Sequence, residues 1–275
     1  VISVRMILAY LVGISVLFAW QTCVANFRGV LANTQGDSSN LTDTHPEWLL
    51  RTPSKPSPPG NTMTSGGATS ISMYRREVAA MRVKTMGTDG EVIDALHHYF
   101  FNQFNGTAME LGAMDGVRHT ETKRLVRFGW QRILVEADPI NSAKLAKLDV
   151  YAIHAAICSV GSEAARTLHY SRLGGATNGI FEYMDETHLR QFHPSIYHAV
   201  SSSGNISGIN WASISPDYYT NVTCLSLDHV LGTIQITHIN LFILDVEGAE
   251  LEVLKSIDYK RVVFDVIIVE TEASN

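Results

Sequence analysis

The chain has 275 residues and a net charge of −6, with charged residues making up only 17% of it. That length holds one sizeable α/β domain plus accessory segments. Lys and Arg form no cluster or stripe, which excludes the electrostatic footprint of a nucleic-acid binder.

Residues 6–20 are uncharged, apolar and preceded by Arg5. A membrane-spanning helix needs about 20 apolar residues, so the run fits a signal-anchor helix over residues 1–25. It also fits the apolar region of a cleaved signal peptide, with Cys23-Val24-Ala25 as the cleavage site. Arg5 and Arg28 flank the run on opposite sides and leave its orientation open. Residues 26–90 change character. Pro53, Pro56, Pro58 and Pro59, then the Ser/Thr/Gly-rich stretch 62–70, offer too few large apolar side chains to fold. This segment is expected to be a disordered stem or linker.

From Glu91 the pattern becomes globular, and residues 91–275 are expected to form one domain. Val92, Leu96, Tyr99 and Phe100 recur at helical spacing and predict a helix leading into the first strand. Apolar strand-like runs follow at 107–113, 132–137, 150–157 and 239–246, and a fifth at 263–269 comes after a helix at 249–257. Short apolar strands alternating with helices predict a mostly parallel, doubly wound sheet covered on both faces. The runs 107–113 and 239–246 should be neighbours at its centre. Ligands of such sheets bind beyond the carboxyl ends of the strands.

Those strand ends carry the chemistry. The first reads Met109-Glu110-Leu111-Gly112-Ala113-Met114-Asp115-Gly116, with a helix predicted from about Arg118. Glycines at a strand-to-helix turn allow unusual φ angles and close approach of a ligand. The second ends at Glu136, 26 residues after Glu110. That separation suits an acidic residue that takes ribose hydroxyls. The fourth ends Leu244-Asp245-Val246-Glu247-Gly248-Ala249-Glu250, and the fifth repeats an acidic end at Val269-Glu270. Acidic groups there either cap a helix through its dipole or act as a general base.

These four motifs, in this order between Thr107 and Glu270, resemble the FkbM family of methyltransferases. The resemblance implies a class I, Rossmann-like α/β domain using S-adenosyl-L-methionine (SAM) to methylate a hydroxyl on a glycan, lipid or small metabolite. It implies that Glu110, Gly112 and Gly116 line the methionine end of SAM, with Asp115 in the family's Asp-Gly pair. Glu136 would bind the ribose, and Ala156 and its neighbours would lie near the adenine. Asp245 is the first candidate base and Glu247 the second. Class I methyltransferases close their sheet with an antiparallel pair after strand five; the sequence stops at Asn275, so one sheet edge is expected to be missing. Within the family, Cys158, Cys224 and Leu244-Asp-Val-Glu-Gly248 resemble the Star-like single-pass type II membrane proteins. That branch implies a lumenal domain of the endoplasmic reticulum or Golgi and, as an alternative to catalysis, a role in secretory cargo export.

The segment between strands three and four matches no motif. Its His188, His193 and His198 are spaced five apart, which is wrong for one helical face, so no metal site is expected. Tyr183, Tyr197, Trp211, Tyr218 and Tyr219 suggest aromatic walls over a substrate. The stretch 174–179, rich in glycine, reads either as a turn over the cofactor or acceptor or as a plain surface loop. Cys158 and Cys224 would pair in an oxidising lumen and stay free in a cytosol. Their positions predict Cα atoms roughly 4.4–6.8 Å apart. Sequons at Asn40, Asn105, Asn205 and Asn221 fit lumenal exposure.

Overall fold

The computed structural model describes residues 7–11, 14–15, 46–54, 64–65, 68–84, 90–159, 166–173 and 175–271. Five parallel strands form the centre: β1 (Thr107–Leu111), β2 (Gln131–Glu136), β3 (Tyr151–His154), β4 (His238–Leu244) and β5 (Val263–Thr271). Their order across the sheet is 3-2-1-4-5. β1 pairs with β2 on one side and β4 on the other, so the two strands expected at the centre are neighbours there. Both faces are apolar. Met109, Leu111, Ile133, Val135, Phe242 and Leu244 lie in one core cluster, while Ala108, Leu241 and Ile243 lie in another with Val92, Leu96, Phe128 and Trp130.

The segment expected to be a stem is partly folded. Leu49–Arg51 adds an antiparallel edge strand to β3. Ala68–Lys84 is a helix that buries Tyr74 and Val78, one turn apart. The Tyr74 hydroxyl donates to the backbone oxygens of Leu96 and Phe100, at 2.5 and 3.1 Å. Two buried side chains and one satisfied phenol therefore tie this helix to Gly90–His98. The latter buries Val92, Ile93, Ala95 and Leu96 as its periodicity predicts, and ends before the exposed Tyr99.

Two further expectations change. Within the apolar run 1–25, Ile7–Leu11 runs parallel to β5 and Ile14–Ser15 pairs antiparallel with Ile7–Leu11. The rest of that run and the Asn40 sequon lie outside the described residues. Among the described residues no helix is long and apolar enough to cross a membrane. The edge beyond β5, expected to be bare, thus carries Ile7–Leu11. No α-helix starts at Arg118: residues 118–122 are irregular and Lys123–Phe128 is a 3₁₀-helix.

The expected third strand, 150–157, divides between two sheets. After His154 the chain turns away, and Ala156–Ile157 pairs with Tyr219–Leu225, which also pairs with Arg166–Ser171. This second, three-stranded sheet belongs to the insert between β3 and β4. Cys158 and Cys224 form a disulfide within it, with Cα atoms 5.9 Å apart.

Candidate functional site

The carboxyl ends of β1, β2, β4 and β5 meet at one cavity of about 270 Å³. Backbone bonds stitch its floor: Gly112 and Ala113 donate to the Val135 oxygen, and Asp245 donates to the Leu111 oxygen. The turn after β1 has φ of +80° at Gly112, +47° at Met114 and +67° at Gly116. A Cβ on Gly112 would fall 1.8 Å from the Asp245 carbonyl oxygen. Gly112 is therefore needed where two strand ends meet, rather than only where a ligand approaches.

Of the residues read from the sequence, Gly112, Glu136, Ala156, Asp245 and Glu247 line the cavity. Glu110, Asp115 and Gly116 do not. Glu110 is buried behind the turn, where its carboxylate accepts from Thr120 Oγ1 at 2.7 Å and from the Glu121 and Thr122 backbone nitrogens. Thr122 Oγ1 donates to it as well, and Arg132 lies 3.9 Å away. It braces the loop that carries Glu121 to the cavity rim. Asp115 is partly exposed: burial works against its charge, yet the Arg118 and Val117 N–H groups hold its carboxyl below the ordinary range. A Cβ on Gly116 would strike Leu145, Leu148 and Leu134, so this glycine serves helix packing.

Glu136 is buried and receives the Met114 N–H at 2.7 Å and the Asp138 N–H at 2.8 Å. Burial pushes its carboxyl up to about 7 despite these bonds. Asp245 sits beside Glu247 and Glu270, with carboxylate oxygens of all three within 4.8 Å of one another. Burial first, then the hydrogen bond and charge of Glu270, push Asp245 well above the carboxylate range. Among the described residues this is the group whose ligand atoms lie close enough to hold a cation. Glu250 accepts from the Val246 and Gly248 N–H groups and so fixes the turn presenting Asp245 and Glu247. Glu247 itself has φ of +55°, a conformation that costs roughly 1–3 kcal/mol and clusters at functional sites.

Sequence reasoning missed Glu121, Glu270 and Tyr170 as lining residues. Glu270 carried a signal, an acid at a strand's carboxyl end. Glu121 and Tyr170 carried none, since long-range folding brings them in.

The insert closes the cavity from the other side. Gly175, Ala176, Asn178 and Gly179 line it, so the glycine-rich stretch is a turn over the site. The Thr177 carbonyl in that turn accepts from Nε2 of both His188 and His193, at 3.0 and 3.3 Å. His188 Nδ1 then faces Glu247 at 3.7 Å. The expected aromatic walls lie elsewhere. Trp211 stacks on His169 with ring centroids 3.8 Å apart, and Tyr197, Tyr218 and Tyr219 pack with it around Phe181, Leu189 and Ile196 as the insert's own core.

Residues 110–275 match the methyltransferase FkbM domain family. No curated protein and no solved structure gave a match.

Proposed function

The chain belongs to the FkbM methyltransferase family, and from that premise we propose that it binds SAM in this cavity and methylates a hydroxyl of a glycan, lipid or small metabolite. One observation carries the choice of cofactor. Among the described residues, the cavity is lined by the acidic Glu121, Glu136, Asp245, Glu247 and Glu270 and by no Lys or Arg. Such a lining repels phosphate-bearing cofactors and complements a ligand with a sulfonium and an ammonium group. Glu136 fits the ribose hydroxyls, Ala156 the adenine, and Gly112 with Asp245 and Glu270 the methionine end.

SAM supplies an electrophilic methyl group on a sulfonium that leaves readily. The protein then has to orient the acceptor, exclude water and hold the released proton. Asp245 suits the last task, because a buried carboxylate beside Glu270 takes up a proton more readily than an exposed one. Glu247 is the second candidate, presented to the same space by the Glu250-braced turn. The acidic lining disfavours anionic acceptors and leaves neutral hydroxyls as the best match.

We further propose a lumenal setting, that of a single-pass type II membrane protein or, as the alternative, of a secreted one. The Cys158–Cys224 disulfide supports an oxidising compartment. Asn105, Asn205 and Asn221 are all exposed, as glycan acceptors must be.

Calorimetric titration of SAM and of its product S-adenosylhomocysteine into the purified protein tests the reading. Saturable one-to-one binding is expected. Absence of binding to either compound would sink the enzyme and leave the non-catalytic role in cargo export.

A further inference from the structure

The insert meets the central sheet at the turn that presents Glu247, and there the two backbones touch. A Cβ on Gly179 would fall 2.9 Å from both the Cβ and the carbonyl oxygen of Glu247. A Cβ on Gly248 would fall 2.9 Å from the Tyr183 carbonyl oxygen. His188 spans this seam. Asp185 caps the short helix Glu186–Phe192 by accepting the His188 N–H at 2.6 Å, which sets where the imidazole starts. The ring is buried and packs on Phe192 and His193, with centroids 4.9 and 5.7 Å away. A carbonyl oxygen only accepts, so the Nε2 that meets Thr177 at 3.0 Å carries a hydrogen and donates it. Nδ1, across the ring, lies 3.7 Å from a Glu247 carboxylate oxygen. One imidazole thus touches the turn over the cavity with one nitrogen and a candidate base with the other. His188 itself does not line the cavity.

We propose that His188 is a positioning residue: it ties the turn over the cavity, residues 175–179, to Glu247, so that covering the site and placing this carboxylate are one event. The proposal rests on the reading of the cavity as a methyl-transfer site for its chemical consequence. Glu247 has φ of +55°, and such a conformation persists only where its surroundings hold it. From the sheet side, Glu250 holds the turn by accepting the Val246 and Gly248 N–H groups. From the insert side, the backbone contact at Gly179 and the His188 ring complete the grip. His193 donates to the same Thr177 oxygen and so fixes the turn end of the tie. With the turn lowered, water is excluded and Glu247 is aimed. With it raised to admit an acceptor, Glu247 loses the contact that aims it.

Hydrogen exchange of the full chain, read by mass spectrometry, tests the tie in wild type, His188→Gln, Glu247→Ala and the double variant. A glutamine amide reaches the place of Nε2 and can still donate to Thr177, but it puts nothing at Nδ1. Alanine at 247 keeps the Cβ that Gly179 meets and removes the carboxylate. Each single substitution should speed exchange at 175–179 about tenfold, and the double variant no further than the faster single, as for groups that act through one contact. Exchange in β1 and β4 should stay at the wild-type rate. Added S-adenosylhomocysteine should slow exchange at 175–179 and 246–249 together in wild type, and at 246–249 alone in His188→Gln. Wild-type exchange at 175–179 in Glu247→Ala, single effects that multiply in the double variant, or equal protection of both turns in His188→Gln would each overturn the proposal. Glu247→Ala decides the matter even where the buried substitution unfolds the insert. If wild type binds no S-adenosylhomocysteine, the cofactor reading falls while the unliganded comparison still decides the tie; binding with an unmoved turn in Glu247→Ala refutes the tie alone.

Discussion

The two halves of the cavity are held in different ways. On the central-sheet side, the turn after β1 rests on a buried polar brace. Glu110 receives four hydrogen bonds from Thr120, Glu121 and Thr122, while Arg132 bonds to Thr120, Thr122 and the Gly116 oxygen. On the insert side, the wall that carries Tyr170 and Ala156 rests on a cluster of seven buried residues closed by one disulfide. A fully satisfied polar network fixes geometry and fails badly when one member is removed. A small apolar cluster opens more readily, and opening it need not disturb the sheet. The central-sheet side of the cavity is thus preformed, and the insert side is the more easily displaced.

The largest test is Gly112→Val. Its Cβ would meet the Asp245 backbone, so the variant should lose its cooperative melting transition as well as SAM binding. A folded Gly112→Val variant that merely fails to bind would show instead that the turn has room and only the ligand objects. Next, Glu110→Ala should cost about 3–5 kcal/mol in chemical denaturation, because it strands a buried guanidinium. Unchanged stability with lost SAM affinity would return Glu110 to the cofactor.

Replacing Cys158 and Cys224 by Ser should cost about 2–4 kcal/mol by thermal melting. Hydrogen exchange should rise in the insert and stay low in β1 and β4; a uniform rise would abolish the distinction between the halves. Glu136→Ala should then weaken SAM binding by about 1–3 kcal/mol by calorimetry, with little change in melting temperature.

The smallest effect concerns pH. Glu136 holds its proton up to about 7, against an ordinary value of 4.5. The unliganded fold therefore binds more protons than the unfolded chain across that window, and its stability falls as pH rises through it. Asp245 extends the fall to higher pH. A cationic ligand favours the ionised carboxylates, so SAM binding should release protons and tighten as pH rises. Calorimetry in buffers of different ionisation enthalpy measures that release; proton uptake would contradict the charge assignment of the cavity.

Much of the sheet was legible because its strands are apolar on both faces and end in glycines or acids. The roles of two motif residues were not. Side chains alternate across a strand, so with Met109 and Leu111 on one face, Ala108 and Glu110 turn to the other. Glu110 thereby points at the braced loop instead of the cavity, and no spacing in the sequence reveals which face a loop will cover. Gly116 was read as a ligand contact, yet Leu145 and Leu148, some 30 residues away, claim the space above it. Asp245 and Glu247 were legible since local sequence alone places them at a strand end. Tyr170 was invisible for the opposite reason: the segment around it follows no periodic pattern, and only long-range folding brings it to the cavity.

The chain leaves the central fold at Cys158 and returns at Cys224, positions 66 apart in sequence and bonded to each other. The Cys158 N–H also donates to the Leu225 oxygen at 2.9 Å. Whatever lies between those points is drawn shut at its neck, which fixes where the insert leaves and rejoins the central fold. Doubling the length of such a loop costs only about 0.6 kcal/mol in closure entropy. The segment can therefore be lengthened, shortened or exchanged for another while the sheet side of the cavity keeps its shape. A new wall for the cavity can arise by grafting at one fixed seam.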